Sequence, residues 1–173
     1  MSARMPHRPS GLLVATLVFL ADQATKYFMV MSVLGFTDGG PMVMTPWLEL
    51  ALTFNPGISY SLFSAESTAG WLALLGFTAA AVLALCVWLW RTRTFVGAVA
   101  LGAIIGGALG NGCDRAIHRK VVDFIHFHIG AFSPFGVFNI ADMAIFAGVA
   151  LLLYSEFLLS APAARDSAAS KSP

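Results

Sequence analysis

Four stretches of this chain are too long and too apolar for water, and that leaves a lipid bilayer as the solvent in which it folds. They run Gly11–Leu34, Trp71–Trp90, Phe95–Cys113 and Phe138–Leu159. A helix crosses the hydrocarbon core with about 20 such residues. The rest of the chain agrees. Charged residues are 11% and hydrophobic residues 58%, with a mean hydropathy of +0.78, whereas a soluble domain carries about 25% charged residues. A soluble globule, a disordered chain and a secreted disulfide scaffold are excluded. A net charge of +1 gives no basic field for nucleic acid. Cys86 and Cys113 offer neither a metal spacing nor a disulfide framework.

The expected fold is an all-α integral membrane protein, residues 1–160 forming one domain of four transmembrane helices. The first helix follows Arg4 and Arg8 as a signal peptide would, but Ala21-Asp22-Gln23-Ala24 is no A-x-A cleavage site and the apolar run resumes at Tyr27, so it is retained. Basic residues orient the chain. Arg4, Arg8, Arg91, Arg93, Arg165 and Lys171 fall on one side, and Arg115, Arg119 and Lys120 on the other. Both termini are therefore expected in the cytoplasm, with residues 161–173 as a disordered tail. The two outer loops, Gly35–Gly70 and Asp114–Val137, supply a small β-containing element and an interfacial segment. A strand is expected within Trp47–Phe54, and Val121–Ile129 reads as a strand or an interfacial stretch. Trp47, Phe54, Tyr60 and Phe63 suit the headgroup level.

Charge inside a span costs about 2.5–3.5 kcal/mol, so each such residue needs a reason. Asp22 and Lys26 stand at i and i+4 on one helix face, the spacing of an ion pair. Asn111, Asp114 and Arg115 end the third apolar stretch, Asn139 and Asp142 begin the fourth, and Asn55 and Asp123 lie in the outer loops. Only Glu156 lies at the cytoplasmic end, where headgroups and water solvate it. Several of these residues have simple structural readings. Asn139 is placed to cap the fourth helix. Gly102, Gly106 and Gly110 form a small-xxx-small line for helix packing. His118, His126 and His128 lack the spaced ligand set of a metal site, and no metal or cofactor is expected. Asp123 and Asp142 are less easily explained, since each sits in apolar sequence without a basic neighbour. Two acids held close share one proton, because both cannot ionise cheaply. Such a pair can activate water and protonate a carbonyl oxygen, which is general acid–base peptide hydrolysis.

Five stretches together resemble the lipoprotein signal peptidases (type II signal peptidases) of bacteria. They are Asp22-Gln23-Ala24-Thr25-Lys26, Asn55-Pro56-Gly57, Gly106 through Arg115, Val121-Val122-Asp123-Phe124-Ile125 and Phe138-Asn139-Ile140-Ala141-Asp142. The resemblance implies a globomycin-sensitive aspartic endopeptidase of the inner membrane. Such an enzyme removes the signal peptide from diacylglyceryl-modified prolipoproteins just before the lipidated cysteine, at the outer face. It implies Asp123 and Asp142 as the catalytic dyad. Asn55, Asn111, Arg115 and Asn139 would line the substrate and inhibitor site, and Asp22, Lys26, Gly57, Asp114 and Ala141 would give structural support. The chain departs from the family pattern at Arg119, often glycine, at Gly112-Cys113 and at Ile58-Ser59-Tyr60. Two rival classes are a proton-coupled transporter or channel subunit with Asp22, Lys26 and Asp142 as a relay, and a non-catalytic assembly protein using the glycine line. Against a relay, the acids cluster on one side and the second helix is apolar throughout.

Overall fold

The computed structural model describes residues 7–36, 40–57 and 67–157. The 161–173 tail, Arg4, the Ile58-Ser59-Tyr60 departure, Phe63 and the side chain of Glu156 lie outside the described residues. In chain order the elements are α1 (Arg8–Phe36), β1 (Met42–Thr45), β2 (Leu48–Asn55), α2 (Thr68–Arg91), α3 (Phe95–His118), β3 (Val121–Phe127), β4 (Val137–Phe138) and α4 (Ile140–Phe157). By length and composition α1, α2 and α3 can each cross a membrane, and α4 is a shorter apolar helix among the described residues. The chain is mainly helical, and its β element is larger than a single short strand.

Helix α3 is central. Of its apolar window 67% is buried, against 22% for α1 and 6% for α2, and it touches the other three helices. Small residues allow this. Ala98, Ala100, Leu101, Ile104 and Ile105 of α3 form the core with Ala15, Leu89 and Leu152. A methyl group on Gly106 would lie 2.5 Å from the Ala15 carbonyl oxygen of α1, and one on Gly107 2.5 Å from that of Ala141 in α4. Large side chains point outward instead, with Phe77 and Phe146 each 71% exposed. Water would penalise that arrangement, and lipid does not.

The helix ends follow local chemistry. The side chains of Ser67 and Thr94 accept from the Gly70 and Gly97 amides at the starts of α2 and α3. The short turn 92–94 holds α2 antiparallel to α3. Helix α3 runs to His118, past the apolar stretch that ends at Cys113, because its last turn is bound to other elements. It closes on Arg119 in the left-handed region, φ 59°. That conformation costs a side-chain-bearing residue about 1–2 kcal/mol. Here the Arg119 guanidinium lies 4.6 Å from the Trp71 ring centroid, a cation–π contact that offsets the strain.

All four strands pair antiparallel in the order β1-β2-β3-β4. Strand β2 covers the expected strand, and Val121–Phe127 is strand rather than interfacial segment; β1 and β4 were not anticipated. The β2–β3 register shifts between Leu50 and Thr53, so that Thr53 faces Asp123 and Asn55 faces Val121. Strand β4 pairs Phe138 with Ile125 and leads directly into α4. A two-strand pairing thus carries the segment bearing Asp123 to the start of the helix bearing Asp142. The fourth helix starts at Ile140 rather than Phe138 because Phe138 is spent on this pairing.

Candidate active site

Two layers of polar side chains meet where α1, α3, β3 and α4 converge. The outer layer holds the acids Asp123 and Asp142. At the start of α4, Asn139 and Asp142 cap the helix reciprocally. The Asp142 amide donates to Asn139 Oδ1 at 2.9 Å, and the Asn139 amide donates to Asp142 Oδ2 at 3.2 Å. This is a capping box built from Asn and Asp, so the expected cap is present and Asp142 is its second member. The Asn139 side-chain nitrogen donates to Asp123 Oδ1 at 2.6 Å, Asn111 Oδ1 at 3.1 Å and the Val122 carbonyl at 3.2 Å. One wholly buried asparagine therefore touches both carboxylates. The other oxygens are also held. Asn111 Nδ2 donates to Asp142 Oδ1 at 2.8 Å, and Asn55 Nδ2 donates to Asp123 Oδ2 at 3.2 Å.

The two acids have different surroundings. Asp123 is buried, 3% exposed, and Asp142 is half-buried. Burial pushes the Asp123 carboxyl up to about 6, and the negative charge of Asp142 adds to the rise. The hydrogen bonds from Asn55 and Asn139 and the charge of Lys26 oppose it. Burial therefore makes Asp123 an acid that can keep its proton into mildly acidic pH.

The inner layer is ionic. Lys26 Nζ lies 2.7 Å from Asp22 Oδ2 and 2.9 Å from Asp114 Oδ2, and it donates to Asn111 Oδ1 at 2.9 Å. The expected Asp22–Lys26 pair is therefore one side of a triangle that ties α1 to α3. Gln23, which the sequence reading left without a role, donates to Asp22 Oδ2 at 3.2 Å and Asp114 Oδ1 at 3.0 Å. Asp22 Oδ1 accepts from the Ala141 amide at 2.9 Å and Asp114 Oδ2 from the Val122 amide at 3.1 Å. A methyl group on Gly110 would collide with the Asp22 carboxylate.

Arg115 stands at the edge of both layers. It donates to the Gly57 carbonyl at 2.9 Å and the Asn111 carbonyl at 3.3 Å, and its buried Nε has no partner among the described residues. Asn55 Oδ1 accepts from the Gly57 amide at 3.0 Å, which shapes the turn that meets Arg115. Trp71 Nε1 donates to the Arg115 carbonyl at 2.7 Å; this contact has no local sequence signal. All eleven residues singled out from the sequence thus fall in one cluster. Asn139 has no exposed surface, so it reaches a substrate only through the carboxylates it holds. Beside Asp142 opens an apolar cavity of about 530 Å³ lined by Phe135, Phe138, Met143, Ile145, Phe146 and Val149, of which only Phe138 belongs to a sequence motif. The histidines stand apart. His126 lies 2.6 Å from Glu49 and 2.9 Å from Ser133. Among the described residues no group of three or more His, Cys, Asp or Glu could hold a metal.

The family model described as Signal peptidase (SPase) II matches residues 14–158. A lipoprotein signal peptidase of Methylocella silvestris is 51% identical, with 87% of this chain and 86% of that protein covered. Another, of Beijerinckia indica, is 46% identical, with 88% and 90% covered. Among solved structures, a bacterial membrane enzyme determined by the in meso method at 2.3 Å resolution is similar with a TM-score of 0.73 and 28% identity, covering 88% of each chain.

Proposed function

The chain belongs to the signal peptidase II family, and from that premise we propose that Asp123 and Asp142 are its proteolytic pair. The protein is a membrane-embedded protease that removes signal peptides from prolipoproteins. Nothing found supports the transporter alternative. The observation that carries the dyad is Asn139 bridging two acids with unlike surroundings, its side-chain amide donating to Asp123 and its backbone amide to Asp142.

In the proposed mechanism Asp123 carries the shared proton and Asp142 is ionised. Asp142 takes a proton from water as its oxygen bonds to the scissile carbonyl carbon, and Asp123 gives its proton to the carbonyl oxygen. Asp142 then passes its proton to the leaving nitrogen while Asp123 takes one from a hydroxyl of the intermediate, and the C–N bond breaks. The pair ends as it began. Asn55, Asn111, Arg115 and Asn139 line the substrate site, the first two and Asn139 by orienting the acids. The unused N–H of Arg115 suits a substrate backbone carbonyl, which lipid would leave unsatisfied. Gly57, Asp114, Ala141, Asp22 and Lys26 support these groups from behind.

The substrate in this reading is diacylglyceryl-modified and is cut just before its lipidated cysteine. The cavity beside Asp142 has the apolar lining an acyl chain needs, and the exposed Phe135, Met143 and Phe146 on its rim would face the bilayer. Globomycin would compete at the same site. The enzyme would lie in the bacterial inner membrane with both termini cytoplasmic and the dyad at the periplasmic face.

The test is cleavage of a diacylated prolipoprotein by Asp123→Asn and Asp142→Asn. An amide keeps the shape but cannot exchange the proton, and a pair that acts as a unit fails with either member. Each variant should fall at least about 10²–10⁴-fold in turnover while inserting and binding globomycin normally. Residual activity above about a tenth of wild type in either, well outside that range, would remove that residue from the chemistry.

A further inference from the structure

Lys26 uses all three ammonium hydrogens on named partners, and each partner leads to the dyad. Asp22 accepts the N–H of Ala141, the residue before Asp142. Asp114 accepts the N–H of Val122, the residue before Asp123. Asn111 turns its amide onto Asp142 Oδ1. The two acids are held by equivalent devices, a carboxylate gripping the preceding backbone amide, and one ammonium joins the devices. Gln23 crosslinks the same two carboxylates from the other side. An ion pair serving only to staple α1 to α3 would need Asp114 alone; Asp22 lies on α1 itself, and its other oxygen holds the Ala141 amide of α4.

We propose that Lys26 is a positioning residue for the peptide hydrolysis, its one buried ammonium setting the mutual placement of the backbone segments that carry Asp123 and Asp142. This rests on the reading of those two acids as the reacting pair. The geometry decides what Lys26 does to rate. Met at 26 would leave Asp22 and Asp114 as neighbouring like charges bridged only by the neutral amide of Gln23, and the amides they hold would shift with them. A misplacement of about 1 Å at reacting groups costs about 10²-fold in rate. Charge acts in parallel. The groups facing the dyad are Arg115 and Asp114 from α3, Asp22 and Lys26 from α1, and the two acids themselves from β3 and α4. Lys26 is one of two cations in that set, and its field favours the ionised form of Asp123.

The experiment uses the full-length enzyme in lipid nanodiscs with a diacylglyceryl-modified prolipoprotein, and it separates kcat from KM across pH. Lys26→Met should lower kcat about 10²-fold with KM within about threefold, and should move the alkaline limb of the rate profile up by about one pH unit. Lys26→Arg keeps the charge and should return the limb to its wild-type position. Asp114→Asn keeps an acceptor for the Val122 amide, removes a negative charge, and should move the limb down. If Lys26→Met fails to fold, the Asp114→Asn and Lys26→Arg arms decide. Variants that lose only thermal stability, with kcat and the limb of the folded fraction as in wild type, would overturn the proposal and leave Lys26 a staple. Asp123→Asn and Asp142→Asn, run in the same assay, report on the dyad separately: activity in either would sink that reading regardless of what Lys26 does.

Discussion

Asp123 and Asp142 are chemically identical side chains with different surroundings, and the proposed mechanism gives them different work. Asp123 sits on a strand, buried, with Asn55 and Asn139 as donors; Asp142 sits in the first turn of α4, half-buried, with its oxygens on Asn139 and Asn111. Burial raises the Asp123 carboxyl to about 6, so raising the pH through that value strips the shared proton from the free enzyme. The expected result is a kcat/KM that falls about tenfold per unit above an alkaline limb near pH 6, because that parameter reports ionisations of the free enzyme. A profile flat from pH 5 to 8 would contradict the assignment. The same shift bears on stability. The folded value lies above the unfolded one, so ionising Asp123 costs the folded state from about pH 4 upward. Asp123→Asn should consequently melt above wild type at pH 8 and level with it at pH 4, which thermal unfolding in detergent measures. This also separates loss of chemistry from loss of fold in the inactive variant.

At the scale of elements, α3 is the piece on which the others are assembled, and its glycines allow it. Gly106 faces the backbone of α1, where a methyl group would stand 2.5 Å from the Ala15 carbonyl oxygen and 2.8 Å from Val18 Cβ. Gly76 on α2 has nothing within 4 Å. Gly106→Ala should therefore force α1 off α3 and cost about 1–3 kcal/mol, as overpacking does, whereas Gly76→Ala should be neutral or slightly stabilising, since alanine is the better helix former. Equal thermal shifts for the two would mean that the close approach does not matter. The glycine line was visible in the sequence because it repeats with the helix, and the Asp22–Lys26 pair because i and i+4 share a face. The link from Lys26 to Asp114 was not, because nothing in local spacing relates residues on separate helices. Gln23, between the two motif charges, was passed over for the same reason: its partners Gly110 and Asp114 are on α3. Strand β2 could be read from its apolar and β-branched content, while β4, two residues long, is too short for any alternation to register. The cavity beside Asp142 draws on the segment before β4 and on one face of α4, and a run of phenylalanines in an apolar chain does not stand out.

Across the whole molecule, the polar chemistry lies at one pole and the basic ends at the other. Arg8 donates to the Trp90 carbonyl at 3.2 Å and stacks 5.3 Å from its ring centroid, so the start of α1 and the end of α2 share a pole with the turn carrying Arg91 and Arg93. Asp22 is about 21 Å further along α1 at 1.5 Å per residue, and with it come Lys26, Asp114, the sheet and both acids. Basic residues flanking short turns tend to stay in the cytoplasm, and on the proposed orientation the two acids would lie at the outer face. That placement suits the reaction. A signal peptide inserts with its own basic end inside, so on the proposed orientation its helix would run parallel to α1 and its cleavage site would emerge at the pole of the two acids. The prediction is a topology measured by labelling single cysteines, with Cys86 and Cys113 replaced by alanine. Thr92→Cys, in the turn between α2 and α3, should react with a membrane-impermeant maleimide only after cells are permeabilised. His128→Cys, just past β3, should react in intact spheroplasts. The reverse pattern would put the acids on the cytoplasmic side, where a translocated cleavage site could not meet them, and both the orientation and the site's access to substrate would have to be abandoned together.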